Sequence, residues 1–202
     1  GVQQLLGMLF GIYLARTLNA EDYGLVGMLA IFSGIASTII NSGFSVALTN
    51  KLDATHKDYN AVFWFSFVVS ICLYIVLFFS APLIASFYDR QELVNLSRVI
   101  FASFLFSGMA IVPHVILFKQ LQVKMQAKID VFALFLSGMC GVLLAFNGFA
   151  YWALAIQSTV YVASASLLKW MVVSWRPSLD FSIEPLKEMF PFSVKLFLTN
   201  IF

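Results

Sequence analysis

From Tyr23 to Asn50 the chain carries no Asp, Glu, Lys or Arg. The stretch exceeds the roughly 20 apolar residues that a membrane-spanning helix needs. It is entered through the polar turn Arg16-Thr17-Leu18-Asn19-Ala20-Glu21-Asp22 and left through Asn41-Ser42-Gly43-Phe44 and Lys51. The same alternation of apolar span and short charged turn recurs along the chain. It predicts spans at Gly1–Leu14, Tyr23–Thr49, Ala61–Phe87 and Val99–Phe118, and the start of another at Phe190. Val131 to Leu168 is charge-free and too long for one span. The turn pair Asn147-Gly148 divides it into Val131–Phe146 and Ala150–Val173. Gly7 and Gly11, four residues apart, predict a close helix contact. Pro113 predicts a kink.

Composition agrees. The 202 residues are 61% hydrophobic and 11% charged, with 22 Phe. Soluble domains carry about 25% charged residues, so a water-soluble globule is excluded. A net charge of +2 gives no footprint for nucleic acid. Lys and Arg are unevenly shared between alternate turns. One side holds eight: Lys51, Lys57, Lys119, Lys124, Lys128, Lys169, Arg176 and Lys187. The other holds three: Arg16, Arg90 and Arg98. The positive-inside rule puts the richer side, and with it the N-terminus, in the cytoplasm. Cys72 and Cys140 lie inside apolar spans and imply no disulfide. The chain starts and stops within apolar runs, as expected of a piece of a longer protein. It shows no P-loop, no metal-ligand spacing and no cofactor motif, and no catalytic arrangement stands out.

An ordered set of short motifs carries a resemblance. These are Ala15-Arg16-Thr17-Leu18 with Glu21-Asp22-Tyr23-Gly24, Gly43-Phe44, and Asp58-Tyr59-Asn60 with Phe63-Trp64. Ala81-Pro82-Leu83-Ile84-Ala85 with Phe87-Tyr88, Tyr151-Trp152-Ala153-Leu154 with Gln157, and Trp175-Arg176-Pro177 follow in order. Over its whole length the chain resembles the oligosaccharide flippases (Wzx-type), the polysaccharide transporters of the multidrug/oligosaccharidyl-lipid/polysaccharide exporter superfamily. The resemblance implies an all-α polytopic membrane bundle of two six-helix lobes facing a central cavity. Residues 1–173 would be the first lobe, 174–189 a cytoplasmic linker, and 190–202 the start of span 7, with spans 1, 2 and 7 lining the cavity. It also implies transport of polyprenyl-diphosphate-linked oligosaccharide across the bacterial inner membrane by alternating access, not enzymatic chemistry. O-antigen, capsule or exopolysaccharide would be the product, with membrane lipids and polymerase or ligase machinery as partners. Two alternatives stand beside it: a small-molecule antiporter of the same superfamily, and a membrane glycosyltransferase, polymerase or ligase for lipid-linked sugars.

Such a cargo needs cations on its path, because isolated ions are poorly tolerated in a low-dielectric interior. Arg16 and Lys195 are the candidates on the spans expected to line the cavity. Arg16 offers a planar fork of donors suited to phosphate oxygens. Each is equally read as an interface anchor whose charge snorkels to water. Asn200, Gln3, Gln4, Asn41 and Gln157 are further pathway candidates, and for each the reading as an interhelical contact stands ahead of the pathway one. His114 stands alone in its span, with no second ligand nearby, and His56 sits in a charged turn. The basic stretch Lys119–Lys128 either meets anionic lipid heads or does no more than fix topology.

Overall fold

The computed structural model describes residues 2–40, 43–179 and 182–201, with the backbone alone at 192 and 194–201. Eight helices account for the regular structure among them: α1 (Val2–Thr17), α2 (Ala20–Ile40), α3 (Phe44–Asn50), α4 (His56–Tyr88), α5 (Leu93–Lys119), α6 (Val123–Phe146), α7 (Tyr151–Val172) and α8 (Glu184–Ile201). The fold is an all-α polytopic membrane bundle. Four helices, α2, α4, α5 and α6, are long and apolar enough to cross a membrane by length and composition. The predicted span Tyr23–Thr49 divides into α2 and the short α3, with Gly43 left-handed (φ 77°) at the start of α3. Several helices overrun their apolar stretches, because backbone hydrogen bonding continues into the polar flanks once a helix is nucleated. Thus α6 begins at Val123, inside the basic stretch, and α8 at Glu184.

Helix α5 is the hub. It packs on α4, α7, α2, α3 and α6, and it carries the largest buried set, including Phe101, Leu93, Leu96, Val112 and Leu117. Pro113 lies inside α5 and lacks the N–H that would bond the Met109 carbonyl. The Trp170 indole of α7 donates to that carbonyl (3.1 Å). Thr159 and Ser166 donate to the Val99 (3.3 Å) and Phe106 (3.0 Å) carbonyls of α5 in the same way. The polar residues of α7 therefore fasten it to α5 where water cannot compete.

The close helix contacts fall on other glycines than those expected. A Cβ on Gly11 would meet nothing within 4 Å, and one on Gly7 would only touch Leu134 at 3.9 Å. Among the described residues helix α1 packs on α6 and on no other helix, and Leu5, Met8 and Leu9 are exposed. A Cβ on Gly108 of α5 would instead collide with Ser70 Oγ and stand 3.0 Å from the Ser66 carbonyl of α4. Gly108→Leu is thus expected to lower the yield of folded protein through a clash costing about 1–3 kcal/mol. Gly11→Leu should be tolerated. Detergent extraction followed by size-exclusion chromatography compares the two.

Both ends of the bundle are tied by polar contacts. At one end Glu21 pairs with Arg90 (2.6 Å). The Asp22 carboxylate accepts from the backbone N–H of Asn19 (3.0 Å) and of Tyr151 (3.1 Å), joining the first turn to the start of α7. At the other end Lys51 pairs with Asp58 (2.8 Å) and Glu188 (3.0 Å). These two hydrogen bonds hold its ammonium above the ordinary lysine range. Lys119 donates to the Leu48 and Lys51 carbonyls at the end of α3. The extended segment after α7 lies along α4. His56, Asn60 and Trp64, spaced one turn apart, meet the Arg176 carbonyl, the Ser178 N–H and the Ser178 carbonyl.

Candidate functional site

A cavity of about 350 Å3 opens within the bundle between α3, α5, α6 and α7. His114 enters it from α5, next to Pro113. Asp130 enters from the second turn of α6, and Tyr161, Ser166 and Lys169 come from α7. Ser45 of α3 and Ser107 of α5 complete the polar lining. On α7, residues 162, 165, 166 and 169 follow the spacing of three and four that gives one helical face. The fixing of α7 to α5 by Ser166 and Trp170 therefore turns Lys169 toward His114.

Gln126 Nε2 donates to His114 Nδ1 (2.7 Å), which orients the ring. Asp130 lies close enough to act electrostatically on His114, Tyr161 and Lys169. The lining thus combines an ammonium, an imidazole, a phenol and serine hydroxyls with a single carboxylate. Such a donor-rich set suits an anionic or hydroxylated group. The volume lies at the low end of small-molecule pockets, about 300–1,000 Å3, with room for one sugar or phosphate group rather than an oligosaccharide. Ionisable side chains at membrane depth are costly and face partners or cavities, and these do.

The residues singled out in the sequence fall elsewhere. Arg16 is exposed at the end of α1, at the opposite end of the bundle from Lys119 and Lys169. Gln3 lines an apolar groove between α1 and α6, and Gln4 is exposed on α1. Gln157 lies on α7 against Gly141 of α6. Asn41 lies outside the described residues, as do the side chains of Lys195 and Asn200. His114, which the sequence leaves alone in its span, has Asp130, Lys169 and Tyr161 around it. Asp130 and Lys169 read as turn charges in the sequence, because each borders an apolar stretch. The signal that marks them is helical continuation past that border, which carries both into the bundle.

The family model described as "Polysaccharide biosynthesis protein" matches residues 13–202. The chain belongs to that family. This agrees with the polysaccharide-transporter resemblance of its motifs. It is 30% identical over 159 residues to "Teichuronic acid biosynthesis protein TuaB" of Bacillus subtilis (strain 168), covering 78% of this chain and 33% of that one. It is 20% identical over 189 residues to "Lipopolysaccharide biosynthesis protein WzxC" of Escherichia coli (strain K12), covering 88% and 37%. The chain therefore spans about a third of the length of these curated relatives. No solved structure matches it. The family motifs have structural roles here: Asp22 joins the first turn to α7, Gly43 starts α3, and Asn60 and Trp64 receive the segment that follows Trp175.

Proposed function

We propose that the chain forms the first lobe of a flippase for polyprenyl-diphosphate-linked oligosaccharide, working by alternating access in the bacterial inner membrane. In this reading the protein is a carrier, not an enzyme, and serves the making of a cell-surface polysaccharide. The observation that carries the reading is family membership across residues 13–202 in a bundle of apolar helices that encloses a donor-rich cavity. The names of the two relatives, one for teichuronic acid and one for lipopolysaccharide, support polysaccharide as the product class. The Lys- and Arg-rich end, where Lys51, Lys119 and Lys169 lie, faces the cytoplasm in this reading.

The test is surface polysaccharide in a flippase-null strain complemented with variants of the full-length protein, normalised to membrane protein. Arg16 is exposed and ends α1, so its removal breaks no described bond of the fold. Arg16→Ala and Lys195→Ala should each cut export several-fold at unchanged protein level. Arg16→Lys should restore part of it, keeping the charge but losing the fork. Full export by the double alanine variant would leave both residues as interface anchors.

A further inference from the structure

We propose that the groove between α1 and α6 seats the lipid tail of a polyprenyl diphosphate, with its diphosphate at Lys128 and Lys124. The inference rests on the flippase reading and adds a place for the part of the cargo that the polar cavity cannot take. The groove measures about 680 Å3, nearly twice the cavity. Val2 and Leu6 of α1 face Val131, Phe132 and Phe135 of α6 across it. Apart from Gln3 and Lys128 its lining is apolar.

The lining follows from helix register. Residues 124, 128, 131, 132 and 135 of α6 are spaced by three and four and share one face. Along that face the chemistry changes in order: two lysines near the start of α6, then Val131, Phe132 and Phe135 deeper in. A lipid with an anionic head and a branched tail has the same order. Two lysines one turn apart match two phosphates better than one. Lys128 carries no described ion pair, so its charge is available. The basic stretch that in the sequence either met lipid heads or set topology thus gains a specific role at its inner end.

Groove and cavity flank one helix. Lys128 and Asp130 are two residues apart and point to opposite sides of α6, one toward α1 and the other toward α7. The tail can therefore stay in the groove while a sugar or phosphate reaches the cavity on the other side of α6.

The test uses the full-length protein in lipid nanodiscs and farnesyl diphosphate carrying a photoactivatable diazirine on its tail, with the label mapped on peptides. Label should fall on residues 2–6 and 131–135. Unlabelled farnesyl diphosphate should displace it, whereas farnesol or phosphatidylglycerol at equal concentration should not. Lys124→Gln with Lys128→Gln should lower labelling at least tenfold. Leu6→Trp should do the same by filling the groove without altering any charge. Equal displacement by phosphatidylglycerol would make this an ordinary lipid contact and overturn the proposal. Displaceable label only on other helices would overturn it while leaving the flippase reading intact. No displaceable label anywhere on the protein would sink both.

Discussion

Gly43→Ala should leave little folded protein in the membrane. Two independent costs meet at this residue. Its φ of 77° lies in the left-handed region, where a Cβ costs about 1–2 kcal/mol. A Cβ there would also stand 2.6 Å from the Ser193 carbonyl oxygen and 2.9 Å from Ser193 Cα. Those are backbone atoms of α8 and cannot rotate away, so overpacking adds about 1–3 kcal/mol. The sum, roughly 2–5 kcal/mol, is a large part of the 5–15 kcal/mol that holds a typical domain. Gly148 separates the two costs. It has φ 79° but nothing within 4 Å of its would-be Cβ. Gly148→Ala should therefore lose only the backbone share and keep most of its folded protein on size-exclusion chromatography. Equal losses in the two variants would mean that the approach of α3 to α8 contributes nothing.

Lys169→Ala should reduce polysaccharide export more than tenfold while the protein remains in the membrane. Lys169 is half-buried on the cavity wall, with Asp130 as its nearby charge. A hydrogen bond to a charged group contributes about 1.5–3 kcal/mol, which is roughly ten- to a hundredfold in rate or affinity at 1.4 kcal/mol per decade. Removing the ammonium also leaves the carboxylate to repel an anionic cargo. The double variant Lys169→Ala with Asp130→Asn separates these effects. If the carboxylate's repulsion causes the loss, the second change should recover export; if the ammonium contacts the cargo, it should not. Lys169→Arg should retain part of the export, since charge is kept with a bulkier head. Normal export by Lys169→Ala would remove the cavity from the transport path.

The helices were legible because a membrane core imposes a simple rule: each crossing shows as an apolar stretch of sufficient length. Their ends were less legible, since Leu93 and Val123 start helices among charged residues that hydropathy assigns to turns. The small-residue spacing at Gly7 and Gly11 pointed to the wrong glycines. That spacing describes one face of one helix, and contact depends on which face a neighbour takes. Gly108, with no glycine four residues away, makes a tight approach because Ser70 and Ser66 of α4 stand opposite. The cavity was hidden for a similar reason. His114, Asp130 and Lys169 lie on three helices, and only the docking of α7 on α5 through Ser166 and Trp170 brings them to one cavity. Arg16 stands out in the sequence through its motif, yet the acidic residues of that motif act structurally, Glu21 on Arg90 and Asp22 on Tyr151.

Transbilayer movement of a lipid-linked saccharide is read out by the leaflet in which that lipid resides. In inverted and right-side-out membrane vesicles from cells carrying the wild-type or the Lys169→Ala protein, an impermeant glycosidase or periodate reports which face holds the lipid-linked oligosaccharide. With the wild-type protein the saccharide should be accessible on the outer face. With Lys169→Ala, intact lipid-linked oligosaccharide should accumulate on the cytoplasmic face at unchanged total synthesis. Equal outer-face exposure in both, or loss of synthesis without accumulation, would mean that Lys169 and its cavity do not carry the lipid-linked saccharide across the membrane.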